Sequence, residues 1–168
     1  ANGKPCVLVT GGVHGYEASG VQGALLFCAE ALQRYAGRFN VVVCPCVSPW
    51  GYECIQRWNA GAIDPNRSYV VESEAEECAA VVDLVAALGG DAQWLMHLDL
   101  HETTDTDDTE FRPAKASRDG LPLGEGDGIP DGFYLIGDAA KPQPEWHAAM
   151  VAAVSKVTHI APAGVCVC

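Results

Sequence analysis

Short β-branched apolar runs alternate with stretches of helical periodicity, and this alternation limits the folds open to the chain. Pro5 to Thr10 (PCVLVT) stops at Gly11-Gly12 and reads as a buried strand entering a tight turn. From Ala18, apolar residues recur at Val21, Leu25, Cys28, Leu32 and Tyr35, a helical spacing closed by Gly37. Phe39 to Cys44 is a second strand stopped by Pro45, and Trp94 to His101 is a third. Between them, Glu72 to Leu88 places acidic residues early and a stripe of Cys78, Val81, Val82, Val85 and Leu88 behind them. That pattern predicts a helix ended by Gly89-Gly90. Strands alternating with helices imply an α/β fold with a mostly parallel sheet covered on both faces. A length of 168 residues suits one domain, 1–168.

The connecting stretches are less regular. Val47 to Asn66, rich in Gly, Pro, Trp and Asn, reads as an ordered functional loop, and Thr103 to Asp131 as a long polar surface excursion. Phe133 to Gly137 is expected as a short strand. Pro144 to Val157 is expected as a helix with Trp146, Met150, Ala153, Val154 and Val157 turned inward.

Composition excludes some roles. Ten Lys and Arg against 22 Asp and Glu give a formal charge of −12, whereas a nucleic-acid binder needs a cationic face. No apolar run approaches the roughly 20 residues needed to span a bilayer, and Ala1 to Pro5 lacks the features of a secretion signal. Eight Cys form no CxxC, only the pairs Cys44/Cys46 and Cys166/Cys168, and most lie in apolar runs. They read as reduced thiols in a cytoplasmic setting.

Three groups of residues invite chemistry. His14 and Glu17 sit three apart at a strand-to-helix turn, where two ligands can converge on one metal; a surface His beside a helix-dipole Glu is the plainer alternative. On the third strand, alternation puts Leu95, His97, Asp99 and His101 on one face, where the polar members need partners. His97 and His101 are about 13 Å apart along a strand and cannot share an ion. His101, at the strand's carboxyl end, is the better ligand, and His97 reads as a satisfied buried His. His14, Glu17 and His101 together make a His₂Glu set with a fourth zinc position left open. Finally, Arg57, Asn66 and Arg67 lie in a loop otherwise poor in positive charge and suit a substrate carboxylate, or ordinary surface pairing. Asp64 suits the carboxylate that holds a metal-bound His in one tautomer. The acidic run Asp105, Asp107, Asp108, Glu110 lacks the Gly and distal Glu of a calcium loop and reads as solvated.

HGYE after the Gly-Gly turn, Ser48-Pro49-Trp50-Gly51-Tyr52, the IDPNR segment and LDLHE, in this order from about Pro5 to about Pro162, resemble the zinc carboxypeptidase family, including its succinylglutamate desuccinylase and aspartoacylase branch. The resemblance implies a three-layer α/β/α unit around a mixed, mainly parallel sheet. It implies one zinc ion on His14, Glu17 and His101, with Asp64 orienting the first His. Arg57 is similar in position to the arginine that supports the oxyanion, and Asn66 and Arg67 match the pair that grips a terminal carboxylate. The implied reaction is removal of a C-terminal amino acid from a peptide. Small N-acyl amino acids are the alternative substrate, towards which DLHETT leans.

One departure stands out. The family's general-base glutamate lies on a late strand beyond the third ligand, and Glu102, Glu110, Glu125 and Glu145 occupy no such context. The family's substrate-binding tyrosine also has no match. The expectation is therefore either a fragment truncated at the C-terminus or a shortened, inactive binding subunit on the same fold. An unpaired sheet edge would then favour an oligomer or larger assembly.

Overall fold

The computed structural model describes residues 3–89, 93–125 and 128–162. Gly90 and the Cys166/Cys168 pair lie outside them. The chain divides into two compact units, Ala1–Glu102 and Thr103–Cys168, beside the sequence expectation of one domain.

In the first unit three strands, β1 (Cys6–Gly11), β2 (Asn40–Cys44) and β3 (Trp94–Leu100), form a parallel sheet in the order β2-β1-β3. Every pairing in it is parallel. All of β1 is buried, which is why its sequence is continuously apolar up to Thr10. In register, Thr10 faces Asp99 and Gly11 faces Leu100, so the carboxyl ends of β1 and β3 lie side by side.

Helices cover the two faces. α1 (Ala18–Leu26) crosses the face of Leu100, whose carbonyl oxygen would stand 2.2 Å from a Cβ on Gly20. α4 (Glu76–Gly89) packs on the other face, where Val81 joins Val13 and Val47 in a buried cluster flanked by Cys44 and Tyr69. The result is the three-layer α/β/α arrangement expected.

Several expectations need correction. The first helical stretch runs from Ala18 to Tyr35 but passes through a π segment, Phe27–Ala31, before α2 (Leu32–Tyr35). Its buried residues are Gly20, Val21 and Ala24, while Leu25 is exposed. At about 1.5 Å per residue that stretch spans about 27 Å, whereas a six-residue strand spans about 20 Å. The sheet therefore covers only its early turns. α4 begins at Glu76, not Glu72, and buries only Cys78 and Val81 of the predicted stripe. The loop after β2 contains a short helix, α3 (Pro49–Cys54), started by Pro49 and ended by Ile55 in a left-handed conformation.

In the second unit the polar excursion carries a π segment, Asp107–Phe111, leading into α5 (Arg112–Asp119). The acidic run is the start of that helical stretch. Asp107 accepts from the backbone of Thr104, and Asp108 pairs with Arg112 one turn on. The strand expected at Phe133 to Gly137 is a single parallel bridge, Phe133 to Ile160. α6 (Pro144–Val154) ends earlier than expected and buries none of its residues; Trp146 is exposed.

Glycines set the closest approaches in the first unit. A Cβ on Gly15 would lie 1.8 Å from the carbonyl carbon of Gly51, a backbone clash that no rotamer relieves. Gly15→Ala is therefore expected to cost about 3 kcal/mol. Gly37→Ala, with nothing within 4 Å, should stay within about 0.5 kcal/mol. Chemical denaturation of the two variants checks the contrast.

Candidate metal centre

The carboxyl ends of β1 and β3 deliver the site. After Gly11 the chain turns through Gly12, at φ +61°, and drops Val13 and His14 into the interior; His14 is 2% exposed. Gly15 then presses on α3, and its N–H donates to the carbonyl of Gln56 at 2.8 Å. Glu17, also 2% exposed, precedes α1. His101 follows β3 directly and keeps 29% of its side chain in solvent.

These three side chains meet around one carboxylate. His14 Nδ1–H donates to Glu17 Oε1 at 2.6 Å, and His101 Nδ1–H donates to Glu17 Oε2 at 2.7 Å. The backbone N–H of Glu102 adds a third bond to Oε2 at 3.2 Å. One potential ligand atom from each of the three lies within 4.8 Å of the others. On their far sides both imidazoles are held alike: His14 Nε2–H by Asp64 Oδ1 at 3.0 Å, and His101 Nε2–H by Asp99 Oδ2 at 2.9 Å. A carboxylate on Nε2 fixes the ring's orientation and turns Nδ1 inward.

Asp64 is itself anchored. It caps the 3₁₀ turn Pro65–Arg67, its Oδ1 accepts the Asn66 N–H, and its Oδ2 faces the Arg57 guanidinium at 3.4 Å. Arg57 also donates to the Tyr16 hydroxyl at 3.0 Å. Asn66 meets the site through its backbone. The exposed Arg67 guanidinium donates to the Asn66 carbonyl at 3.2 Å, so these bonds tie Arg57, and not Arg67, to the imidazole cluster.

Charge accounting explains the shifts. Desolvation alone would raise Glu17, but hydrogen bonds from His101 and His14 outweigh it and hold the carboxyl at about 2. Desolvation alone would lower His101, but the bonds to Asp99 and Glu17 push it up to about 10. His14 is raised in the same way, its desolvation outweighed by Asp64 and Glu17. Asp64 is held at about 2, its desolvation outweighed by the bond from His14 and the charge of Arg57. Glu17, Asp64 and Asp99 against one guanidinium leave two negative charges in a largely desolvated place. Two ring protons neutralise them, and so would one dication on neutral imidazoles. With two inward Nδ1 atoms and a buried carboxylate, the donor set fits a divalent ion such as zinc.

Sequence reading missed three partners. Asp99 holds His101; Thr10 donates to Asp99 Oδ1 at 2.6 Å; Tyr16 receives Arg57. The signal for the first two was the polar alternation on β3 beside a Thr at the end of an apolar run. His97 is satisfied as expected, by Thr10 Oγ1 at 2.8 Å, but it is exposed, not buried. β3 has no strand on its other side among the described residues. A separate hollow of about 810 Å³, lined among others by Cys46, Trp50, Ile63, Glu77 and Leu84, takes in none of the site residues.

No family model matches the chain, and no curated protein matches its sequence. Solved structures do. A protein from Shewanella amazonensis, provisionally designated a metallopeptidase, aligns at TM-score 0.67 and 22% identity over 99% of this chain and 56% of its own; the likeness is one of fold. One from Shewanella denitrificans with the same designation aligns at TM-score 0.50 and 26% identity, over 61% of this chain and 38% of its own. Murine aminoacylase 3 aligns at TM-score 0.44 and 20% identity over 90% of this chain and 62% of its own. The chain thus spans less than two thirds of the length of each.

The charge pairing gives a pH profile for the metal-free protein. Because His101 is raised above its ordinary 6.5, its contribution to stability is full below pH 6.5 and lost as pH rises towards about 10. Because Glu17 is lowered from 4.5, its contribution is full above pH 4.5 and lost as pH falls towards about 2. Thermal melts with a chelator present should therefore fall off on both sides of pH 4.5–6.5. Glu17→Gln should lower the melting temperature at pH 6 and flatten the alkaline limb. An unchanged alkaline limb would remove Glu17 from this role.

Proposed function

We propose that this chain carries the metal-binding part of a zinc-dependent hydrolase that cuts an amide bond next to a free carboxylate, in the manner of a metallocarboxypeptidase. The observation that carries the reading is the convergence of His14, Glu17 and His101, each imidazole held from behind by its own carboxylate. Support comes from structural neighbours designated metallopeptidases. A zinc ion held by these three residues supplies Lewis acidity for polarising a carbonyl and acidifying water.

The chain's own groups divide the remaining work. Arg57, fixed by Asp64 and Tyr16, presents a cation beside the imidazole cluster where an oxyanion would develop. Asn66 and Arg67, on the 3₁₀ turn next to Asp64, take the substrate carboxylate and so position the scissile bond. Asp64 and Asp99 keep both imidazoles oriented. The proton acceptor is assigned to none of these residues: Glu102, which adjoins the third ligand, accepts the backbone N–H of Ser19 at the start of α1. That engagement is the observation favouring the second reading, a binding subunit without turnover.

Peptides with a free C-terminus are the leading substrates, and N-acyl amino acids are the alternative. Described cysteines Cys6, Cys28, Cys44, Cys46, Cys54 and Cys78 are all free thiols, which supports a reducing, cytoplasmic setting. No helix among the described residues is long and apolar enough to cross a membrane. β2 and β3 each have one side without a strand partner among the described residues, which supports a larger assembly.

His101→Ala should abolish stoichiometric zinc, measured by metal analysis, together with any peptidase activity of the complete protein; retained zinc would refute the ligand set. Arg57→Ala should keep zinc and lower turnover by about 10²-fold or more. A screen of acylated amino acids against unblocked peptides separates the two substrate classes. Normal folding and zinc binding with no turnover of either would favour the binding subunit.

A further inference from the structure

Thr10 is fully buried at the end of β1, opposite Asp99 in register, in a strand otherwise apolar from Cys6 to Val9. A buried hydroxyl there is costly unless both its proton and its lone pairs are used. They are: Oγ1 lies 2.6 Å from Asp99 Oδ1 and 2.8 Å from His97 Nε2. A threonine has one proton to give. It goes to the carboxylate, so His97 must donate its Nε2–H to Oγ1. The second oxygen of Asp99 then accepts from His101 Nε2 at 2.9 Å. His97, Thr10, Asp99 and His101 thus form a chain of hydrogen bonds that converges on the Asp99 carboxylate, from the exposed imidazole through Thr10 on one side and from the candidate ligand on the other.

We infer that Thr10, with His97 behind it, is a positioning residue: it pins Asp99 so that the carboxylate holds His101 with Nδ1 towards Glu17. This rests on the proposed zinc site for its consequence, though not for its geometry. Asp99 without Thr10 would keep only its bond to His101 and could rotate, and His101, 29% exposed at the strand end, would then be held by Glu17 on its Nδ1 side with its Nε2 side unfixed. His14 differs, since Asp64 is secured by the Asn66 N–H and by Arg57. The third ligand therefore depends on a side-chain relay, where the first also has a backbone N–H behind it.

The test compares Thr10→Val, Thr10→Ser and His97→Leu in the full chain. Zinc affinity is measured by chelator competition. The His101 ring N–H is followed by NMR in ¹⁵N-histidine protein without metal, with His101→Ala identifying its signal. Thr10→Val should weaken zinc about 10-fold or more and lose the slowly exchanging Nε2–H signal of His101. Thr10→Ser should retain both. His97→Leu, which leaves the buried strand untouched, should give a smaller loss of the same kind and stands in should Thr10→Val fail to fold. Wild-type affinity and an unchanged His101 signal in Thr10→Val and His97→Leu would overturn the inference while leaving the zinc site standing. A wild-type protein that binds no zinc, but whose His101 signal still depends on Thr10, would instead overturn the proposed function and sustain the relay.

Discussion

One buried carboxylate governs the site. Glu17 is 2% exposed and joins two imidazoles that arrive from different strands. A lone carboxylate so placed would be expelled or protonated, because desolvation disfavours its charge by several kcal/mol. It stays ionised only because His14 and His101 face it, and they face it only because Asp64 and Asp99 hold their outer nitrogens. The loop after β1, the 3₁₀ turn at Pro65 and the end of β3 are thereby bound into one electrostatic unit. Remove any member and the others lose their reason for being where they are.

The sheet makes this meeting possible at small cost. Parallel neighbours present their carboxyl ends together, so ligands that are 84 residues apart in the chain become adjacent without a long connecting loop. Gly11 lies close to Gly20, and Gly20 to the carbonyl of Leu100, which brings the start of α1 against both strands. Glu102 completes the junction by accepting a free N–H of that helix.

How legible this was depended on whether the signal was local. β1 and β2 could be read because each is a short apolar run bounded by Gly or Pro, and β3 because an apolar run broken only by His97 and Asp99 follows the helix stop at Gly89-Gly90. His14, Glu17 and His101 could be singled out because they sit where such runs end. The depth of burial along α1 and α4 could not, since periodicity gives a face but not the width of the sheet that covers it. α5 was missed although Pro113 in its first turn and Gly120 after its end are standard boundary signals; its polar composition masked them. The link from Thr10 to Asp99 required the register of β1 against β3, which no single strand's sequence encodes.

Gly15 against Gly51 carries a wider implication. Because main chain touches main chain there, the spacing of the first ligand corner is dictated by the peptide framework and is indifferent to most side chains nearby. Evolutionary drift can then rewrite the surrounding residues while the corner keeps its shape.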